Sequence, residues 1–149
     1  MTEKKQKAVS AFNSGFNCAQ SVLNAFADDL NIDKELTSSL TSGFGGGMGK
    51  LQETCGAVTG SFMVLGLTNG IRFSENTDRK EATNNMIKSF YDQFVSQHGT
   101  ISCKQLLGAD LNTASGQQYL LDNKVFKHVC EKCIADAVEI TERLLAENI

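Results

Sequence analysis

The 149-residue chain contains no proline, and this absence constrains its fold more than any other feature of the sequence. Average usage would place about seven prolines in a chain of this length. Because proline breaks helix interiors, a chain without it can be helical along most of its length. No run of strand length alternates between apolar and polar residues. These patterns predict an all-α fold, a single-domain helical bundle of about six helices spanning residues 1–149.

The segment 55–67 is predicted to be the central helix of this bundle. It is almost wholly apolar or small, which is typical of a helix buried on all sides. Its glycines, Gly56, Gly60 and Gly66, would each weaken a helix by about 1 kcal/mol relative to alanine. They therefore indicate close approach of a neighbouring helix or of a bound group. By contrast, the stretch 108–127 is polar, and no helix is predicted there.

Charge and hydropathy exclude several classes of protein. The net charge is −3 and no basic stripe stands out, so nucleic acid is not an expected partner. Residues 1–10 are charged and polar, unlike a secretory signal. The longest apolar stretch, 57–67, is about half the length that a membrane span requires. We therefore expect a cytoplasmic protein without membrane insertion.

The five cysteines are the residues most indicative of chemistry. Thiols stay reduced in the cytoplasm, where cysteines more often bind metals or act in catalysis than form structural disulfides. Three of the five follow a residue that commonly caps a helix, in the pairs Asn17-Cys18, Thr54-Cys55 and Ser102-Cys103. Gln20 and Gln105 complete the capping-box spacing in two of them. Since a helix N-terminus favours a thiolate, this pattern predicts helix ends converging on a sulfur-rich site.

Cys130 and Cys133 form a CxxC pair that is compatible with a redox disulfide or with half of a zinc site. A thioredoxin-like motif would require a βαβ unit, which is not predicted, and zinc sites commonly use two such pairs. Dispersed cysteines can instead supply the four thiolates of an iron–sulfur cluster. The alternatives left open are an iron–sulfur protein, a thiol–disulfide oxidoreductase using Cys130 and Cys133, and a module binding zinc or another soft metal.

The remaining polar candidates carry weaker signals. His128 lies two residues before Cys130 and could orient or replace a ligand, although a surface position is the simpler interpretation. His98 is assigned no chemistry, and Asp136 is placed on a solvated helix face. The glycine-rich loop 43–49 lacks the Ser/Thr and the first glycine of a phosphate-binding loop. It is either a flexible turn or a loop whose backbone passes close to a cluster, as glycine permits.

Several segments together resemble the C_GCAxxG_C_C family of redox-active proteins. They are FNCAQ at residues 16–20, FGGGMG at 44–49, CGAVTG at 55–60, CKQLLG at 103–108, and the final helix with Cys130. The resemblance extends over about residues 8–145. It implies four characteristic cysteines, which map onto Cys18, Cys55, Cys103 and Cys130. Cys133 is then an additional cysteine, or a substitute for Cys130 as the fourth ligand.

The resemblance extends to the cysteine-bearing domain of split-Soret-type cytochromes, and this implies an iron–sulfur centre. The expected cofactor is a 2Fe–2S or 4Fe–4S cluster, with zinc or a cofactor-free disulfide form as alternatives. The implied function is electron transfer or redox sensing with a redox partner protein, and a homodimer is left open. The sulfurs of the four mapped cysteines are then expected within roughly 4–8 Å of one another. The resemblance specifies a chemistry and not a substrate.

Overall fold

The computed structural model describes residues 2–148, and within them the chain is helical without any β-strand. It contains eight α-helices: α1 Glu3–Asn13, α2 Cys18–Phe26, α3 Lys34–Leu40, α4 Gly56–Arg72, α5 Asn76–His98, α6 Cys103–Leu107, α7 Ala114–Asp122 and α8 Glu131–Glu147. A π-helical turn, Phe126–Cys130, leads directly into α8. The all-α prediction is confirmed, while the expectation of about six helices is too low.

Helix α7 accounts for part of the difference, and the π-helical turn is a further element that was not predicted. Thr113 caps α7, and its hydroxyl accepts a hydrogen bond from the N–H of Gly116 at 2.9 Å. Only Gly116 and Leu120 of this helix are buried, so its sequence carries too few apolar positions to show a helical period. A Cβ on Gly116 would lie 1.8 Å from the carbonyl oxygen of Asp110. The backbone of α7 therefore packs directly against the loop before it.

Helix α4 lies at the centre of the bundle and packs against α2, α5 and α8. Its contact with α2 is unusually close, because a Cβ on Gly60 would lie 2.9 Å from the carbonyl oxygen of Ala19. A Cβ on Gly56 would lie 3.0 Å from the backbone nitrogen of the same alanine. Both glycines therefore allow the close helix approach that the sequence predicted. Gly66 has ordinary space around it, so the prediction is wrong there. Neither α4 nor any other helix in residues 2–148 is both long and apolar enough to cross a membrane.

A row of aromatic rings runs along α5 from the core toward one end of the bundle. Phe62 of α4 meets Phe90 edge-to-face, with ring centroids 5.5 Å apart. Phe90 stacks on Phe94, and Phe94 stacks on the imidazole of His98 at 4.5 Å. Aromatic packing of this kind restricts the rings to few orientations. It therefore fixes His98, the last residue of α5, against α8.

A second, smaller cluster of buried side chains closes the same end of the molecule. Its buried members are Cys103, Leu107, Leu120 and Val125, from α6, α7 and the segment before the π-helical turn. Gln52 ties this cap to the glycine-rich loop. Its buried carboxamide donates to the carbonyl of Ala109 and accepts from the N–H of Leu111, both at 2.9 Å. The five cysteines lie where this cap meets the main core, with Cys103 in the cap and Cys55 and Cys133 in the main core.

Candidate functional site

All five cysteines line one cavity of about 100 Å³. They come from α2, the start of α4, α6, the π-helical turn and α8, and none of them is in a disulfide. Apart from Asn17 and three glycines, the rest of the lining is apolar: Phe12, Leu106, Leu107, Leu111, Phe126 and Val129. The structure thus brings together every cysteine that the sequence singled out. Their role as metal ligands stays a prediction.

Cys18 is the first residue of α2, and its position is fixed by the capping box that the sequence predicted. The N–H of Gln20 donates to Asn17 Oδ1 at 2.8 Å, while the Gln20 side chain accepts from the N–H of Asn17 at 2.9 Å. The Asn17 amide also donates to the carbonyl oxygen of Thr41 at 3.1 Å. The start of α2 is therefore tied to the end of α3, and Cys18 points its thiol into the cavity at a defined place.

Cys55 and Cys103 are held side by side through their backbones. The N–H of Cys55 donates to the carbonyl of Ile101 at 2.8 Å, and the N–H of Cys103 donates to the carbonyl of Glu53 at 2.6 Å. An antiparallel bridge joins Thr54 to Ser102 at the same place. Two cysteines far apart in sequence thus enter the cavity from adjoining backbone segments.

This bridge overturns part of the capping prediction. Thr54 does not cap α4, because its backbone is engaged with Ser102, and Cys55 itself occupies the cap position. Ser102 does cap α6, accepting from the N–H of Gln105 at 3.3 Å. The Gln105 side chain does not complete a capping box, because its oxygen accepts from the Thr100 hydroxyl instead. The helix starts at Cys18 and Cys103 are confirmed, and the one at Cys55 is displaced by one residue.

The glycine-rich loop passes directly over the cysteines. From Gly46 to Lys50 every residue has φ between 59° and 72°, a left-handed conformation that costs roughly 1–2 kcal/mol for a residue with a side chain. A Cβ on Gly47 would lie 2.7 Å from Cβ of Cys103 and 2.6 Å from the N–H nitrogen of Glu53. Close approach to the cysteines, one of the two interpretations of this loop, therefore describes its structure. Strained backbone of this kind clusters at functional sites.

The thiols interact in two pairs across the cavity. A hydrogen bond with Cys130, reinforced by burial, raises the pKa of Cys18 well above its usual range. A hydrogen bond from Cys133 lowers the pKa of Cys55, and it outweighs the opposing effect of burial. The N–H groups of Ala57 and Val58 at the start of α4 act in the same direction, although the sulfur makes no regular capping hydrogen bond. Cys55 thus ionises more readily than an ordinary thiol.

The pKa values of Cys133 and Cys103 are both raised. The pKa of Cys133 is raised by its hydrogen bond to Cys55 and by burial, while burial raises the pKa of Cys103 to about 12. In both cases the neighbouring sulfur charges at Cys55 and Cys18 add to the effect. Five thiols this close cannot all ionise unless positive charge enters the cavity. The cavity is therefore built to receive a cation or to keep most of its thiols neutral.

Sequence reasoning missed the polar pair behind Cys133. His98 Nδ1 lies 3.8 Å from Cys133 Sγ, and His98 Nε2 lies 2.9 Å from Asp136 Oδ2. Asp136 is only 4% exposed, so its assignment to a solvated helix face is wrong. The sequence signal for a buried Asp136 was its spacing of three residues from Cys133. Residues three apart share a helix face, and Cys133 faces the core. His128 is exposed and lies outside the cavity, which agrees with the simpler prediction of a surface position.

The arrangement of donors does not form a closed site for one ion. Within residues 2–148, no group of three or more His, Cys, Asp or Glu side chains is arranged to hold a metal ion. A single zinc ion would need its sulfur ligands about 2.3 Å away from one atom. A cluster instead distributes four thiolates over several iron atoms. The donor set is all sulfur, and Gly47 and Gly56 line the same cavity at positions where neighbouring atoms lie too close for a side chain.

Comparison with known proteins gives one family and one relative. The family model described as "Putative redox-active protein (C_GCAxxG_C_C)" matches residues 16–144. An uncharacterized protein from Archaeoglobus fulgidus is 27% identical over 147 residues, which cover 92% of this chain and 89% of the relative. No solved structure gives a significant match.

Proposed function

The chain belongs to the C_GCAxxG_C_C family of redox-active proteins, and we propose that it is an iron–sulfur protein acting in electron transfer or redox sensing. The proposed ligands are Cys18, Cys55, Cys103 and Cys130. The observation that carries the proposal is the single cavity into which all five thiols open, with apolar side chains around them. A cluster bound there would supply one-electron chemistry.

The chemistry of the lining suits a cluster. All the candidate ligands are thiols, which is the usual donor set of iron–sulfur clusters, although zinc sites of four cysteines use the same set. The cavity also lies beneath backbone that only glycine can form at Gly47. These features support the cluster proposal and leave zinc as the alternative.

The protein's own groups would position and tune such a centre. The pKa of Cys55 is lowered, because Cys133 and the first N–H groups of α4 stabilise its thiolate. The capping box at Asn17 fixes Cys18, and the bridge between Thr54 and Ser102 fixes the spacing of Cys55 and Cys103. Apolar residues limit water around the sulfurs, and burial of this kind sets reduction potential.

Cys130 is the better fourth ligand, and Cys133 the supporting residue. Cys130 pairs with Cys18 and is partly exposed, whereas Cys133 is 1% exposed and is held by His98. These partners also weigh against the exchange alternative, in which Cys130 and Cys133 would react with each other. Each of them instead interacts with a cysteine on another segment of the chain. The proposed setting is the cytoplasm, where five thiols stay reduced, with a protein as redox partner.

Serine substitution of each cysteine tests the ligand assignment. We expect C18S, C55S, C103S and C130S to lose most of the visible absorption that the wild-type chain gains on anaerobic reconstitution with iron and sulfide. The matched variant C133S should keep it, because Cys133 is outside the proposed ligand set. If one of the four variants keeps full absorption while C133S loses it, then Cys133 is a ligand in place of the cysteine substituted in that variant.

A further inference from the structure

Cys133 is not needed for a four-thiolate ligand set, yet its thiol has two polar partners. Its single thiol proton has two acceptors within reach. One is the sulfur of Cys55, to which it hydrogen-bonds. The other is Nδ1 of His98 at 3.8 Å. A purely space-filling cysteine needs neither partner, so these contacts indicate thiol chemistry.

The hydrogen bond to Asp136 decides which nitrogen of His98 is available. The Asp136 carboxylate accepts a hydrogen bond at 2.9 Å from Nε2, so the other ring nitrogen, Nδ1, is the one that faces Cys133. Lys132 holds the other carboxylate oxygen at 2.8 Å, and Phe94 stacks on the ring. His98 is thus fixed with Nδ1 toward the Cys133 thiol.

The size of the cavity limits what can react there. Cys55 is 7% exposed and Cys133 is 1% exposed, so a protein disulfide cannot reach either sulfur in this conformation. About 10–15 Å³ of such cavity space holds one water molecule, and this cavity offers about 100 Å³. It therefore has room for a small hydroperoxide but not for a peptide-sized disulfide.

We propose that Cys55 and Cys133, in the cluster-free protein, form a dithiol site that reduces small hydroperoxides. The Cys55 sulfur attacks the terminal peroxide oxygen. A sulfur–oxygen bond forms as the oxygen–oxygen bond breaks, and the thiol proton leaves with the alcohol. Cys55 is then a sulfenic acid, which is the first step of thiol oxidation.

Cys133 completes the reaction by attacking the Cys55 sulfur. Its proton passes to His98 Nδ1 and from there to the departing hydroxide, which leaves as water. Two thiols and one hydroperoxide thus give one disulfide, one alcohol and one water, and the two electrons come from the two sulfurs. His98 and Asp136 are positioning residues for the second step. The reaction concerns protein without a cluster, and it stands whether or not the same cysteines bind one.

The test uses the full chain, reduced and treated with a chelator, with one equivalent of hydrogen peroxide. Non-reducing peptide mapping should find Cys55 linked to Cys133, with two thiols lost per chain. In C133S the reaction should stop at a Cys55 sulfenic acid that dimedone traps. A wild-type disulfide joining any other pair, or a C133S chain without sulfenic acid at Cys55, overturns the proposal.

His98 is tested by H98F, which keeps a ring on Phe94 and removes the nitrogen. We expect the disulfide to close at least ten-fold more slowly, with sulfenic acid accumulating and its rate of formation unchanged. The matched control H128F, at an exposed histidine, should close at the wild-type rate. If H98F does not fold, as judged by circular dichroism, H98Q replaces it. Closure at the wild-type rate in a folded His98 variant removes His98 from the mechanism.

Discussion

Gly47 and Cys103 lie so close together that a methyl group on the glycine would be 2.7 Å from Cβ of the cysteine. Real Cβ atoms do not approach this closely, and the neighbouring N–H of Glu53 would be nearer still at 2.6 Å. The left-handed loop and the start of α6 therefore fix one another. The wall of the cysteine cavity depends on a position where a side chain cannot be accommodated.

Substituting Gly47 with alanine should damage both the fold and the site. The strain of a left-handed alanine and the overpacking against α6 together should cost about 3 kcal/mol or more in the free energy of unfolding. The matched variant G49A has a similar φ of 60° but no atom near its Cβ, so it should lose only about 1–2 kcal/mol. Urea denaturation measures both, and iron uptake on reconstitution should fall only in G47A. Equal effects of the two variants would contradict the packing argument.

The contact between α4 and α2 makes a second prediction about glycine. G60A should destabilise the protein by about 1–3 kcal/mol, because its Cβ would lie 2.9 Å from the carbonyl of Ala19 and α2 would have to shift. G70A lies on the same helix with nothing near its Cβ. It should stabilise the protein by about 0.5–1 kcal/mol through its helix propensity. Thermal unfolding measures the stability of both variants. A destabilised G70A together with an unchanged G60A would contradict this prediction.

The buried thiols should make the metal-free protein sensitive to alkali. The pKa of Cys103 rises from its ordinary 9.0 to about 12 on folding, and that of Cys18 is raised as well. The folded chain therefore keeps protons that the unfolded chain releases, so stability should fall between about pH 9 and about pH 12. Cys55, with its lowered pKa, acts in the opposite direction, but only below about pH 9, where the folded chain releases a proton that the unfolded chain keeps.

Urea denaturation between about pH 8 and about pH 11 measures this dependence. C103S should show a shallower fall than the wild-type chain, because it lacks one of the retained protons. C55S should also show a shallower fall above about pH 9, because the Cys55 sulfur helps to raise the pKa values of Cys103 and Cys133. A C103S profile parallel to the wild type would show that Cys103 titrates normally in the folded protein.

What the sequence predicted correctly depended on local signals. The capping residues Asn17 and Ser102 act within one helical turn, so their positions could be inferred before the fold was known. The apolar character of α4 likewise required no knowledge of its neighbours. The family resemblance drew on the same segments and identified the cysteines that the structure brings together.

What the sequence did not predict depended on tertiary contacts. Thr54 is prevented from capping by its bridge to Ser102, and no local pattern encodes that pairing. His98 and Asp136 meet only because α5 packs against α8. Helix α7 buries two residues, so its periodicity is too weak to detect. In the first two cases the deciding partner lies far away in sequence.

The central claim is that the cavity holds an iron–sulfur cluster, and the iron and acid-labile sulfide of anaerobically purified protein test it most directly. The account predicts a brown protein in which both elements are present in similar amounts, with at least two of each per chain, as a 2Fe–2S or larger cluster requires. A colourless protein that holds neither element, and takes up neither on anaerobic reconstitution, would contradict it.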